Sequence, residues 1–166
     1  MDLCEPVADA VIAYLKAGQD AKLAVVEARY VARPMRLRPF AAVRLSDPDR
    51  EHEPEYPVLY VVPIEERLKA GAGGIGKGMI NSQRYAFVVL AHNAGTADES
   101  PAESVKRACA RYMVAILEML AAHTDYEWGT GAPALVQYRT WRDTTTGEYL
   151  GMAALEIGIQ RVEAAL

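Results

Sequence analysis

The sequence predicts an α+β fold, in which an antiparallel or mixed β-sheet carries an N-terminal helix and a long central helix packed on one face. Three observations predict it: the order of the elements, a helix-start signature at Ser100, and alternating apolar residues near the C-terminus. The elements read α, β, β, β, β, α, β, β, so strands occur in blocks with helices between the blocks. The 166 residues suffice for one domain with a sizeable core, which we assign to 1–166.

The first predicted helix covers Pro6 to Lys16, and Gly18 is expected to end it. Its apolar residues recur at helical spacing and form one stripe; they are Val7, Val11, Ile12 and Leu15. Residues Ala21 to Val31 fit either a strand or a helix, and their β-branched and aromatic content favours a strand.

Three segments follow before the glycine-rich region. Arg36 to Leu45 predicts a strand, and Pro39 within it indicates an edge position or a bulge. After a polar loop, Tyr56 to Pro63 is a short apolar run between prolines, which predicts a buried strand. Ile64 to Ala70 is polar and has room for one helical turn.

Residues Gly71 to Gln83 are rich in glycine, which disfavours a regular element by about 0.5–1 kcal/mol for each glycine. We expect a long hairpin loop there, followed by a strand from Arg84 to His92. The segment matches most of a P-loop, but Gly78 stands where a serine or threonine would bind magnesium, and a strand follows instead of a helix. We therefore interpret it as a docking loop that becomes ordered in an assembly. Its named residues are Gly71, Gly73, Gly74, Gly76, Lys77, Gly78 and Met79.

The strongest local signal is the start of the long helix. Ser100 is the expected cap, Pro101 fills the first helical position, and Glu103 completes a capping box. The helix should run to Ala122 or His123. Its buried face is predicted to contain Val105, Ala108, Cys109, Tyr112, Ile116, Met119, Leu120 and His123.

A closing β-hairpin is expected after the long helix. Leu135 to Trp141 and Tyr149 to Gln160 are the two strands. In the second strand apolar and polar residues alternate, so one face should be buried; the apolar residues are Leu155, Ile157 and Ile159.

Sites for chemistry are not apparent in the sequence. The three histidines do not cluster, no serine lies in a nucleophile elbow, and Cys109 fits a buried apolar position. His123 is interpreted as a cation at a helix C-terminus, and Glu65 with Glu66 as a solvated face. We therefore expect no enzyme, no catalytic or metal-binding residue, and no cofactor. A nucleotide-using enzyme stays open as a minor alternative through the Gly71 segment.

Charge and hydropathy exclude other classes. The net charge of −4 argues against a dedicated nucleic-acid binder, and no apolar run approaches the ~20 residues of a membrane span. The acidic N-terminus is unlike a signal peptide, so a soluble cytoplasmic protein is expected.

Two blocks of opposite charge follow one another in the chain. The basic block contains Arg29, Arg33, Arg36, Arg38 and Arg44. The acidic block contains Asp47, Asp49, Glu51, Glu53 and Glu55. They are either solvated loops or two complementary patches, and a head-to-tail contact between subunits needs such a matched pair.

With this pattern, the chain resembles the tail terminator, or tail completion, proteins of tailed bacteriophages, which include small head-to-tail joining subunits. The resemblance rests on the order and lengths of the elements, from the helix at Val7 to the closing hairpin that ends at Val162. It implies a homo-oligomeric ring, commonly a hexamer, that caps the tail tube, ends tube polymerisation and contacts the head connector. DNA is then only a passing cargo in the lumen. The implied location is the virion tail or neck, assembled in the host cytoplasm. Another phage neck or head-completion protein, or a small non-catalytic α+β scaffold or binding protein, are the alternatives.

Overall fold

The computed structural model describes residues 4–46, 48, 55–71, 74–92, 100–129 and 134–163, and within 71–79 and 161–163 it describes the backbone alone. In order along the described chain the elements are α1 (Cys4–Arg29), β1 (Ala42–Arg44), β2 (Val58–Gly71), β3 (Gly74–His92), α2 (Pro101–Ala122), β4 (Leu135–Arg142) and β5 (Tyr149–Glu163). The strands form a mixed sheet in the order β1-β2-β3-β5-β4, in which β1 is parallel to β2 and the other neighbours are antiparallel. The predicted α+β class is confirmed.

Helix α1 is 26 residues long and continues through the glycine that was expected to end it. The end at Gly18 and the strand favoured over Ala21 to Val31 are therefore wrong. The apolar stripe persists because Leu23 and Val26 are also buried, and this burial outweighs the cost of one internal glycine, about 1 kcal/mol. A Cβ atom at Gly18 would lie 3.0 Å from Met119 Cε, so the glycine marks a close contact with α2.

The strand expected over Arg36 to Leu45 is reduced to the three residues of β1, at the edge of the sheet. Residues before β1 bond to side chains of α1 instead of to a neighbouring strand. The Leu37 backbone N–H donates to the Glu27 carboxylate, and the Phe40 N–H donates to Gln19 Oε1 at 2.7 Å. These bonds satisfy donors that a longer strand would pair in the sheet.

Strands β2 and β3 form a long hairpin. It includes residues of two segments that were predicted from the sequence to be a helical turn and a loop. The helical turn over Ile64 to Ala70 and the loop over Gly71 to Gln83 are both wrong, because residues 64–71 and 74–83 are in β2 and β3. From Met79 onward β3 pairs with β2 on one side and β5 on the other, and these two ladders outweigh the entropic cost of the glycines. The register shifts near the tip, where residues 75–78 are extra on β3 relative to β2.

Helix α2 has the predicted start and end. Ser100 Oγ accepts from the Glu103 backbone N–H, and the Glu103 side chain accepts from the Ser100 N–H, which completes a capping box. Pro101 is at the start, and His123 is the C-cap. All eight residues predicted on its buried face are buried, so this prediction is confirmed.

The main core contains residues of both helices together with alternate residues of the central strands. In β5 these are Leu155, Ile157 and Ile159, as predicted. The intervening residues of the strands point to the opposite face of the sheet, where a smaller buried cluster contains Val58, Tyr60 and Val88. The sheet is therefore apolar on both faces.

Candidate assembly surfaces

Arg29, the first residue of the predicted basic patch, is bound within the subunit. It lies at the end of α1, and its guanidinium donates two hydrogen bonds to the Glu118 carboxylate of α2, one of them at 2.9 Å. Lys22 Nζ binds the same carboxylate at 3.3 Å. The hydrogen bonds from Arg29, with those from Lys22, lower the pKa of Glu118 to about 2. Arg29 thus joins the two helices.

Arg33 and Arg44 are exposed but take part in interactions of their own. The Arg33 carbonyl accepts a hydrogen bond of 2.7 Å from the buried Arg111 side chain. The Arg111 guanidinium also lies 4.3 Å from the centre of the Tyr30 ring, within cation–π range. The backbone at Arg33 is therefore anchored to α2.

Arg36 and Arg38 are brought together with a histidine that was not connected with them from the sequence. They line a cavity of about 140 Å³ together with His92 at the end of β3, and Pro57, Ala91, Ala108 and Tyr112 complete its wall. Tyr112 also donates a hydrogen bond of 2.8 Å to the Arg38 carbonyl, which holds the segment against α2. Burial raises the pKa of Tyr112, so its hydroxyl stays protonated and donates.

The predicted acidic patch falls largely outside the described residues. Asp47, Asp49, Glu51 and Glu53 all lie there. Glu55 is described and is exposed, two residues before Pro57 of the cavity wall.

The described residues of the predicted docking loop belong to the β2–β3 hairpin. Gly71 is the last residue of β2, and Gly73 lies outside the described residues. The other residues belong to β3; they are Gly74, Gly76, Lys77, Gly78 and Met79. A P-loop needs a helix to begin directly after its lysine, and here the strand continues to His92. The geometry thus lacks the helix N-terminus that would bind phosphate.

Strand β4 is an exposed surface that the sequence analysis missed. It pairs with β5 alone among the described strands and forms one edge of the sheet. Leu135, Tyr138 and Trp141 are 47%, 42% and 41% exposed. Leu135 and Trp141 share one face of the sheet, and Tyr138 is on the other. The signal in the sequence was the spacing of these three residues, since a strand with one buried face would place its apolar residues at even intervals.

A hydrogen-bonded polar cluster in the middle of the hairpin was also missed. Asn81 Nδ2 and Gln83 Nε2 donate to Glu66 Oε1 at 2.8 and 3.1 Å. The Tyr85 hydroxyl lies 2.5 Å from Gln83 Oε1 and 3.0 Å from the Cys4 carbonyl oxygen. The expectation that Glu66 belongs to a solvated face is wrong. Alternation was the available signal, because residues 81 and 83 share the core-facing parity of 85.

The remaining candidates for chemistry are packed side chains. Cys109 is buried, as predicted, and burial raises the pKa of its thiol to about 12. His123 is also buried, with its ring edge-on to Tyr14 at 4.3 Å and stacked on Tyr126 at 5.2 Å between ring centres. Its burial agrees with the predicted buried face of α2, although the residue was also interpreted from the sequence as a cation at the helix C-terminus.

Metal ligands do not cluster in the part of the chain that the structure describes: no three histidine, cysteine or acidic side chains are placed to share an ion. The described helices include none that is both long and apolar enough to span a membrane. No protein-family model and no curated protein matches this chain.

Proposed function

We propose that this chain is a structural subunit of a bacteriophage tail or neck, and that copies of it assemble head-to-tail into a closed ring, commonly of six. The ring would cap the tail tube, end its polymerisation and present a surface to the head connector. DNA would pass through its lumen as cargo. No catalytic step is assigned to any residue.

The observation that carries the proposal is the edge strand β4. Large apolar side chains on both faces of an unpaired strand edge are a liability in a monomer, because the edge and its side chains promote association. The three apolar residues are Leu135, Tyr138 and Trp141. A neighbouring copy that covers β4 would bury them and pair the backbone groups of the strand that face away from β5. Repetition of such a heterologous contact around an axis produces a ring.

Two further features support the proposal. An N-terminal helix and a long central helix against one face of a mixed sheet, followed by a closing hairpin, form the arrangement that the family resemblance implies. The β2–β3 hairpin contains strands of 14 and 19 residues, while β4 has 8. A hairpin of that length would reach toward the tail tube, the lumen or the connector.

Light scattering during size-exclusion chromatography tests the proposal directly. We expect a discrete oligomer of several subunits, either alone or after addition of purified tail tubes, and rings on tube ends by negative-stain microscopy. A chain that stays monomeric at high concentration and leaves tube length unchanged would contradict the ring.

A binding protein that adds a partner's strand to β4 is the second candidate, since the same exposed edge suits it. It predicts a monomer in isolation and no effect on tube length. The nucleotide-using alternative predicts thermal stabilisation by ATP or GTP with magnesium, and the strand geometry around Lys77 gives us no reason to expect it.

A further inference from the structure

We propose that the cavity lined by Arg36, Arg38 and His92 binds one acidic side chain from the 47–55 segment of a neighbouring copy of this chain. The identity of the partner rests on the proposed function, because the ring contact brings a second copy to this surface. The chemistry of the cavity stands independently of it.

The cavity carries positive charge from Arg36 and Arg38. Arg36 and Arg38 are two residues apart in the segment before β1, and both residues line the same cavity. Of the elements packed around it, β3 contributes His92 and Ala91, and α2 contributes only uncharged Ala108 and Tyr112. No acidic residue lines the cavity among the residues that the structure describes. Among the described residues neither guanidinium forms an ion pair.

The shape of the site favours a carboxylate on a side chain. The cavity of about 140 Å³ is recessed, with apolar wall at Pro57, Ala91 and Ala108. Such walls suit the methylene groups of a glutamate or aspartate, while the arginine forks bind its carboxylate oxygens. Duplex phosphates lie on a convex surface, and the chain's net charge of −4 opposes DNA binding.

The acidic side chain that would enter the cavity comes from the segment 47–55. Five of the nine residues from 47 to 55 are acidic: Asp47, Asp49, Glu51, Glu53 and Glu55. A closed ring requires two different surfaces that match each other. The basic cavity and this acidic segment supply the complementary charges in one sequence.

A charge exchange between subunits tests the contact. The cavity variant carries Arg36→Glu and Arg38→Glu, and the segment variant carries Asp47→Lys, Asp49→Lys, Glu51→Lys and Glu53→Lys. We expect each variant alone to lose assembly, with a rise in dissociation constant on the order of 30-fold or more. An equimolar mixture should assemble again, because each cavity then meets a segment of opposite charge.

A matched control carries Lys16→Glu and Lys106→Glu, which make the same change in net charge at two exposed helix positions. It should assemble like the wild type. Unchanged assembly of the cavity variant would overturn the proposal. Recovery only when both sets of changes are in one chain, and not in the mixture, would show pairing within a subunit and would also overturn it.

Peptide binding separates failure of this inference from failure of the ring. A labelled peptide of residues 46–56 should bind the wild-type chain in fluorescence polarisation and bind the cavity variant at least tenfold more weakly. The control peptide has asparagine or glutamine at the five acidic positions. If the wild type never forms rings but binds the acidic peptide, the ring is wrong and the cavity chemistry holds. Absence of peptide binding, or binding of duplex DNA in its place, would overturn the assignment of the cavity.

Discussion

The carboxylate of Glu118 links the two helices through Lys22 and Arg29. Its titration should make the stability of the fold depend on pH. Its pKa falls from 4.5 to about 2 because the charged form accepts hydrogen bonds from Arg29 and Lys22. A carboxyl with a lowered folded-state pKa stabilises the fold fully above the unfolded value, and this stabilisation is lost as the pH falls through the folded value.

Glu118→Gln should therefore lower the free energy of unfolding at pH 7, and the difference from the wild type should shrink between about pH 4.5 and pH 2. Urea unfolding at a series of pH values measures it. Added salt should reduce the difference as well, since these side chains are partly exposed. Asp20→Asn, at an exposed position on α1, is the control. A difference that is the same at pH 2 and pH 7 would contradict the role of this ion pair.

Gly151 of β5 lies against α2. It leaves less space for a Cβ atom than the other glycines whose surroundings are described. A Cβ atom there would lie 2.2 Å from Val105 Cγ1 and 3.0 Å from Cys109 Sγ. We expect Gly151→Ala to destabilise the protein by about 1–3 kcal/mol through overpacking, measured by urea unfolding.

Gly18→Ala is the matched comparison for that substitution. Its Cβ would meet only the flexible end of Met119, and alanine favours a helix interior by about 1 kcal/mol over glycine. Its stability should be unchanged or slightly raised. Equal effects of the two substitutions would mean that the approach of β5 to α2 is looser than described.

At the scale of elements, the N-terminus of α2 depends on the Ser100 capping box. Ser100→Ala removes the acceptor for the Glu103 N–H, and we expect a loss of about 1 kcal/mol in the free energy of unfolding. Ser100→Asp keeps an acceptor at the cap and should stay close to the wild type. If alanine and aspartate behave alike, the cap contributes nothing measurable.

The long hairpin shows why local composition is a weak guide to an element that is paired on both sides. Residues 64–70 are polar, and the segment after Gly71 is rich in glycine, so neither has a strand signature. Both segments are strands because the neighbouring strands supply partners for their backbone hydrogen bonds. In addition, the side chains of Asn81 and Gln83 donate hydrogen bonds to Glu66 across the hairpin. A long-range ladder of this kind does not require an alternation of apolar and polar residues within the segment itself.

At the scale of the whole molecule, the exposed edge strand predicts how assembly can be separated from folding. Leu135→Ser with Trp141→Ser should shift the oligomer toward monomers in light scattering, because two apolar side chains leave the proposed interface. The free energy of unfolding of the monomer should change by roughly 0.5 kcal/mol or less for each substitution, since both residues are exposed.

Ile64→Ser with Leu68→Ser is the control, because these β2 residues are exposed to a similar degree. It should leave ring formation intact. Loss of assembly in both variants would indicate a general effect of surface polarity and would count against β4 as the subunit contact.

The sequence by itself determined the α+β class, both limits of α2, its buried face, and the closing hairpin of β4 and β5. Each of these depends on residues close together in the chain, such as the capping box or the alternation from Leu155 to Ile159, so local chemistry is sufficient. The burial predicted for Cys109 follows in the same way from its position on the apolar face of α2.

Only the tertiary structure decided the full length of α1, the strands of the long hairpin, and the division of the basic segment. Arg29 binds Glu118, while Arg36 and Arg38 meet His92 around one cavity. These partners are tens of residues away in the sequence, and burial or a charged neighbour at such a distance depends on how the sheet and helices pack. The exposed faces of β4 arise from the same cause, since a strand's place at the edge of the sheet is set by the order in which the other strands pair.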